Sequence, residues 1–148
     1  FTPEFIISMA PIQDSLQSDI PGMGGFIYKD LYKTVEGSLV HYFNGQFYFD
    51  YSVKAYEDCI NNGYPEDKVV MGMISSQNFD EIQEVVKELV QKYPKFGGIY
   101  NWEYFSSPPH NQTDPSLWAR IMSKILGLSS RSWMEWFESF IPSKITLW

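Results

Sequence analysis

Apolar and polar positions along this chain fall into short apolar runs alternating with longer amphipathic stretches. Residues 5–10, Phe-Ile-Ile-Ser-Met-Ala ahead of Pro11, form a continuous apolar run and predict a strand buried on both faces. Residues 18–25 carry Pro21, Gly22, Gly24 and Gly25 and predict a loop. Residues 28–36 have helical composition, with Gly37 positioned as a C-cap. A second strand is predicted over 39–49. Ser52 is positioned to cap a helix to about Asn61, with Val53, Tyr56, Cys59 and Ile60 on one side. Asn62-Gly63 closes that helix, and Pro65 prevents its continuation.

Residues 68–74 predict a third buried strand. Asn78 with Glu81 resembles a capping box. The helix after it has the clearest periodicity in the chain: Ile82, Val85, Val86, Leu89, Val90 and Tyr93 recur at a spacing near 3.6. Pro94 ends it, and residues 96–102 predict a fourth strand. After a polar, Pro-rich loop over 106–112, Thr113 or Asp114 can cap a last helix with Pro115 in its first turn. Its inner stripe is Leu117, Trp118, Ile121, Met122, Ile125 and Leu126. From Gly127 the periodicity weakens, yet Trp133, Trp136, Phe137, Phe140 and Trp148 keep the tail apolar. Two parts are therefore expected: residues 1–126, and a helical tail over 127–148 packed on the rest or on a partner.

A strand followed by a helix, four times over, predicts an α/β fold with a parallel sheet of βα units. Two closures fit: an open doubly wound sheet, or part of a (β/α)8 barrel. A barrel typically takes about 250 residues, and this chain has 148.

Composition narrows the functional classes. Hydrophobic residues make up 44%, which excludes a disordered chain. Aromatics reach 18%, enough to build a core and to stack on ring-shaped ligands. The net charge is −7 and no Lys/Arg cluster occurs, which argues against nucleic acid or an anionic membrane as partner. No apolar run approaches the roughly 20 residues of a membrane span. The single cysteine, Cys59, rules out an intrachain disulfide and reads as a small buried hydrophobe, and no Cys/His set has zinc spacing. No metal or cofactor is expected. The chain opens on Phe1 with no initiator Met and no cleavage signal, so a piece of a longer protein is expected and the compartment cannot be read.

The stretch Phe43-Asn44-Gly45-Gln46-Phe47-Tyr48-Phe49 sets one amide among aromatic residues. Burying Gln46 there is costly unless the amide is hydrogen-bonded. It either meets water or supplies a fixed hydrogen-bonding group. Gln46 and Tyr48, two apart on a strand, share one face.

In order, the four strands resemble the last four of a family 18 glycoside hydrolase barrel, the chitinase-like fold. Ser8-Met9-Ala10-Pro11 is similar to the end of that family's fifth strand, and Asn44-Gly45-Gln46-Phe47-Tyr48 to its sixth. Val69-Val70-Met71-Gly72-Met73 is similar to its seventh, and Phe96-Gly97-Gly98-Ile99-Tyr100-Asn101-Trp102 to its eighth. The resemblance covers residues 5 to about 126 and implies the second half of a TIM barrel. It further implies that Tyr48 holds the N-acetyl group of a sugar, that Gln46 lines the same subsite, that Trp102 is the stacking floor and that Met9 is a wall. Phe49 stands where the family usually has Asn. Chitin or a chitooligosaccharide is the implied ligand, and a secreted or endomembrane location is favoured; the Asn111-Gln112-Thr113 sequon leans the same way.

The family's Asp-x-x-Asp-x-Asp-x-Glu signature is absent, and no Asp-x-Asp or Asp-x-Glu pair occurs anywhere in the chain. Asp50 and Glu103 follow strands but read as solvated loop charges, and His41 reads as structural. On these terms the chain alone is not a hydrolase. It is expected to act with an N-terminal half, to bind sugars as a lectin-like protein, or to close a barrel with a second copy of itself.

Overall fold

The computed structural model describes residues 5–128. Its strands are β1 (Ser8–Met9), β2 (Tyr42–Gln46), β3 (Val69–Ile74) and β4 (Ile99–Trp102). They pair in parallel, in the order β1-β2-β3-β4. The helices are α1 (Gln13–Gln17), α2 (Tyr28–Tyr32), α3 (Val53–Asn61), α4 (Phe79–Lys92) and α5 (Ser116–Ile125). A doubly wound sheet reverses direction at a switch point. Here every crossover steps one strand the same way, which is the order of a (β/α)8 barrel. Of the two closures open to the sequence, the barrel arrangement is the one adopted.

The sheet has two unlike faces. Along β2 and just past it, Phe43, Gly45 and Phe47 are buried, while Asn44, Gln46 and Tyr48 are half-buried. The buried set meets the helices. Phe43, Phe47, Val69 and Met71 pack with Leu16, Tyr28, Tyr56, Cys59 and Leu89. Met73 packs with Phe79, Ile82, Val86 and Met122 in a second cluster. Full burial of side chains such as Phe43 and Leu89 contributes about 1.5–3 kcal/mol each and holds the sheet against its helices. The half-buried set lies on the face turned away from them.

Local capping follows the sequence signals. The Ser52 hydroxyl accepts from the Ala55 N–H at 3.1 Å and starts α3. The Asn78 side chain accepts from the Asp80 N–H at 3.1 Å and donates to Glu81 at 2.9 Å, so the start of α4 is tied at both residues of the predicted box. Gly63, just past α3, has a φ of 106°, a left-handed conformation that favours glycine.

Several expectations are corrected. The strand predicted over 5–10 pairs only at Ser8 and Met9, and Phe5, Ile6 and Ile7 are exposed. Within β1, Ser8 is exposed and Met9 only half-buried, so burial on both faces fails. His41 pins the start of β1: its backbone N–H donates to the Ile7 carbonyl at 2.8 Å, and its Nδ1 accepts from the Ile7 N–H at 3.1 Å. The helix predicted over 28–36 stops at Tyr32. Gly37 opens a 3-10 turn instead of capping α2, and it is glycine because a Cβ there would lie 1.9 Å from the Leu31 carbonyl oxygen. The strand predicted over 39–49 shortens to Tyr42–Gln46. Helix α1 had no sequence expectation; it occupies the first crossover. The apolar tail over 129–148, with Trp133 and Trp136, lies outside the described residues.

Candidate functional site

The face turned from the helices is built by register. Gln46 on β2 pairs with Gly72 on β3, and Gly72 pairs with Tyr100 on β4. One step toward the C-terminal ends, Ile74 pairs with Trp102. Barrels of this order carry function at those ends.

Gln46 is fixed at both backbone and side chain. Its N–H donates to the Pro11 carbonyl at 2.9 Å, and its Nε2 donates to the Ala10 carbonyl at 2.7 Å. The amide is therefore satisfied by the neighbouring β1 segment, and no described residue donates to its Oε1. That answers the question raised by an amide in an aromatic run: the side chain is held still, with an acceptor to spare.

Tyr48 lies beyond the end of β2, in a bend. The chain there is held by side chains: Gln77 Nε2 donates to the Phe47 carbonyl at 2.9 Å, and the Asp50 N–H donates to Gln13 Oε1 at 3.3 Å. The Tyr48 hydroxyl comes within 3.3 Å of the Tyr100 hydroxyl. The Tyr100 hydroxyl also donates to the Asn44 carbonyl at 3.4 Å. Tyr100 reaches Tyr48 across Gly72, where a Cβ would lie 2.1 Å from Tyr100 Cζ. Burial, then the Tyr48 hydrogen bond, pushes the Tyr100 hydroxyl well above the ordinary tyrosine range. Burial, then Tyr100, does the same to Tyr51, whose hydroxyl donates to the Met71 carbonyl at 3.4 Å. Both phenols stay neutral at any ordinary pH.

Trp102 is 58% exposed, with its carbonyl accepting from the Ser75 N–H at 3.2 Å and the Ser75 hydroxyl at 3.1 Å. Its backbone is anchored while its indole stays open to solvent. Tyr104 and Phe105, just after it, are exposed too, with ring centroids 6.0 Å apart.

Three of the four predicted site residues thus share the open face: Gln46, Tyr48 and Trp102. Met9 does not join them. It pairs with Phe43 and packs against the helix-side core, where Phe43 is fully buried. Phe49, in the position where an Asn was expected, is exposed. Asp50 and Glu103 are exposed as well. Tyr100 and Gly72 are the site residues that sequence reasoning missed. The signal for them was a glycine inside an otherwise apolar strand, which marks close approach of another group, and a tyrosine two residues before Trp102 on the same face.

The row Asn44, Gln46, Tyr48 and Tyr100 offers two hydroxyls, two amides and aromatic faces, all uncharged. It can hydrogen-bond a neutral polyol or amide and stack on a ring. It holds no carboxylate to act as a general acid. Among the described residues no group of three or more His, Cys, Asp or Glu side chains could hold a metal ion. Nor is any described helix long and apolar enough to cross a membrane.

No protein-family model matches the sequence, and no curated protein matches it. A solved structure does: a fungal endo-beta-N-acetylglucosaminidase from glycosyl hydrolase family 18, 31% identical with a TM-score of 0.75. The match covers 85% of this chain and 47% of that enzyme, so the chain spans about half the length of the protein it resembles. A single-direction parallel sheet of four strands is half of an eight-stranded barrel. The likeness carried by the four strand motifs thus holds in three dimensions as well, and the chain is similar to about half of a family 18 glycoside hydrolase barrel.

Proposed function

We propose that this chain is the substrate-holding, C-terminal half of a chitinase-like glycoside hydrolase, acting on β-linked N-acetylglucosamine together with an N-terminal half. The observation that carries the proposal is the uncharged, hydrogen-bonding row on the open face. Gln46 is locked by Ala10, Tyr48 is brought to Tyr100, and the exposed indole of Trp102 stands one step further along. The match to a family 18 enzyme over 47% of its length supports the same reading. Tyr48 holds the N-acetyl group, Gln46 lines the subsite and Trp102 stacks beneath the ring. The N-terminal half supplies the general acid, a group usually worth about 10²–10⁴ in rate, and the substrate's own acetamide is the nucleophile, the exception to a two-carboxylate scheme.

The test joins this chain to an N-terminal half that carries Asp-x-x-Asp-x-Asp-x-Glu and follows chitotetraose cleavage. The joined barrel should turn over and the chain alone should not. Tyr48→Phe in the joined barrel should lower kcat far more than it raises KM. Turnover by the isolated chain, or equal effects on the two constants, contradicts the proposal.

A further inference from the structure

Resting on the reading that Tyr48 meets an N-acetyl group, we infer that Tyr100 is a positioning residue that sets which way the Tyr48 hydroxyl donates.

Two hydroxyls 3.3 Å apart share one hydrogen bond, so one of the two protons is left for another acceptor. That acceptor is the Asn44 carbonyl, 3.4 Å from the Tyr100 oxygen. Tyr100 donates there, and Tyr48 donates to Tyr100. A carbonyl arriving beside Tyr48 offers a second arrangement. Tyr48 turns its proton to the ligand, and Tyr100 turns its own to the Tyr48 oxygen. Only two O–H rotors move; no ring is displaced. The Tyr48 oxygen then accepts while its proton donates, and hydrogen bonds linked in this way strengthen one another.

The geometry serving this pair is specific. Tyr100 stands in register with Gly72, and its ring occupies the space a side chain there would take: a Cβ on Gly72 would meet Tyr100 Cζ at 2.1 Å and its hydroxyl oxygen at 2.4 Å. Gly72 itself is buried beneath it. An aliphatic side chain at position 100 would fill the same space without supplying a hydroxyl. The ligand class this pair selects is a sugar bearing an acetamide carbonyl, in preference to the same sugar bearing a hydroxyl.

The test is a binding cycle on the full 148-residue chain. The probes are tri-N-acetylchitotriose and cellotriose, which has the same β-1,4 backbone and no acetamide. The native chain should prefer chitotriose. Tyr100→Phe keeps the ring and removes the hydroxyl; it should lower that preference by about three- to tenfold, the value of one hydrogen bond, with chitotriose affinity falling more than cellotriose affinity and the chain still folded by circular dichroism. Tyr48→Phe should lower it at least as much, and Tyr48→Phe/Tyr100→Phe no further, because both changes remove one linked unit. Gly72→Ala, which drives the Tyr100 ring aside but leaves its hydroxyl, should lower the preference in the same direction. If Tyr48→Phe loses the preference and Tyr100→Phe keeps it, or the two losses add, the role of Tyr100 is overturned while Tyr48 keeps its own. If the native chain shows no preference for the acetamide, the Tyr48 assignment and this inference both fail.

Discussion

The ring of Tyr100 lies where a side chain on Gly72 would stand, 2.1 Å from the position of its absent Cβ. The glycine in β3 and the tyrosine in β4 are thus one feature. Gly72→Ala forces the ring or the strand to shift and should destabilise the chain by about 1–3 kcal/mol, the usual cost of overpacking. Urea unfolding measures it. In a Tyr100→Ala background the same substitution should cost much less. A wild-type midpoint for Gly72→Ala alone would show that the ring can leave at no cost.

Trp102 is exposed and its anchoring bonds come from its backbone carbonyl. Trp102→Ala should therefore change stability by no more than about 0.5 kcal/mol, as for an ordinary surface substitution. Chitotriose affinity should fall roughly tenfold, the equivalent of about 1.4 kcal/mol. Calorimetric titration and thermal unfolding read the two effects separately. Loss of stability with binding intact would make the indole a structural residue.

Burial, with Asp58 adding to it, pushes the Cys59 thiol up to about 12, and its Sγ–H donates to the Ala55 carbonyl at 3.4 Å. The thiolate is the reactive form. At pH 8 the folded chain should resist iodoacetamide, and labelling should appear only as the chain unfolds in denaturant. Fast labelling of the folded chain would mean that the helix-side core opens at Cys59.

At the start of α5 the Asp114 carboxyl is held below its ordinary value, first by the Ser116 hydroxyl, then by the Ser116 N–H, with the Arg120 guanidinium also contributing. A lowered folded-state value means stability that is present above the ordinary carboxylate range and lost as pH falls through it. Helix α5 should loosen below about pH 4, and Asp114→Asn should remove that part of the acid dependence. Hydrogen exchange along α5 at two pH values checks the sign. Greater protection of α5 in acid would contradict it.

Legibility in the sequence followed the strength of the local signal. Helix α4 was readable because Ile82, Val86 and Leu89 repeat at 3.6 and Asn78 caps it. Strand β3 was readable as an apolar run of six between turn signals. The ends of β1 and α2 were not, because tertiary contacts set them. Phe5, Ile6 and Ile7 precede β1 and are exposed, which a one-dimensional apolar run cannot reveal. Gly37 is required by the Leu31 carbonyl, which looks in sequence like a C-cap signal. In the site, Gln46, Tyr48 and Trp102 came from strand motifs, and period-two alternation put Gln46 and Tyr48 on one face. Met9 lies on the helix side, which a two-residue strand gives alternation too little to reveal; its pairing with Phe43 decides its side. Tyr100 was missed because its partner, Tyr48, is 52 residues away and only the register of three strands brings them together.

Sugar binding on the open face is tested most directly by titrating the isotope-labelled chain with tri-N-acetylchitotriose, followed by backbone and indole NMR. Saturable shifts confined to Gln46, Tyr48, Gly72, Tyr100 and the Trp102 indole are expected, with the helix-side core around Phe43 and Leu89 unmoved. Shifts that fail to saturate, or that fall on the helices and spare the open face, would contradict it.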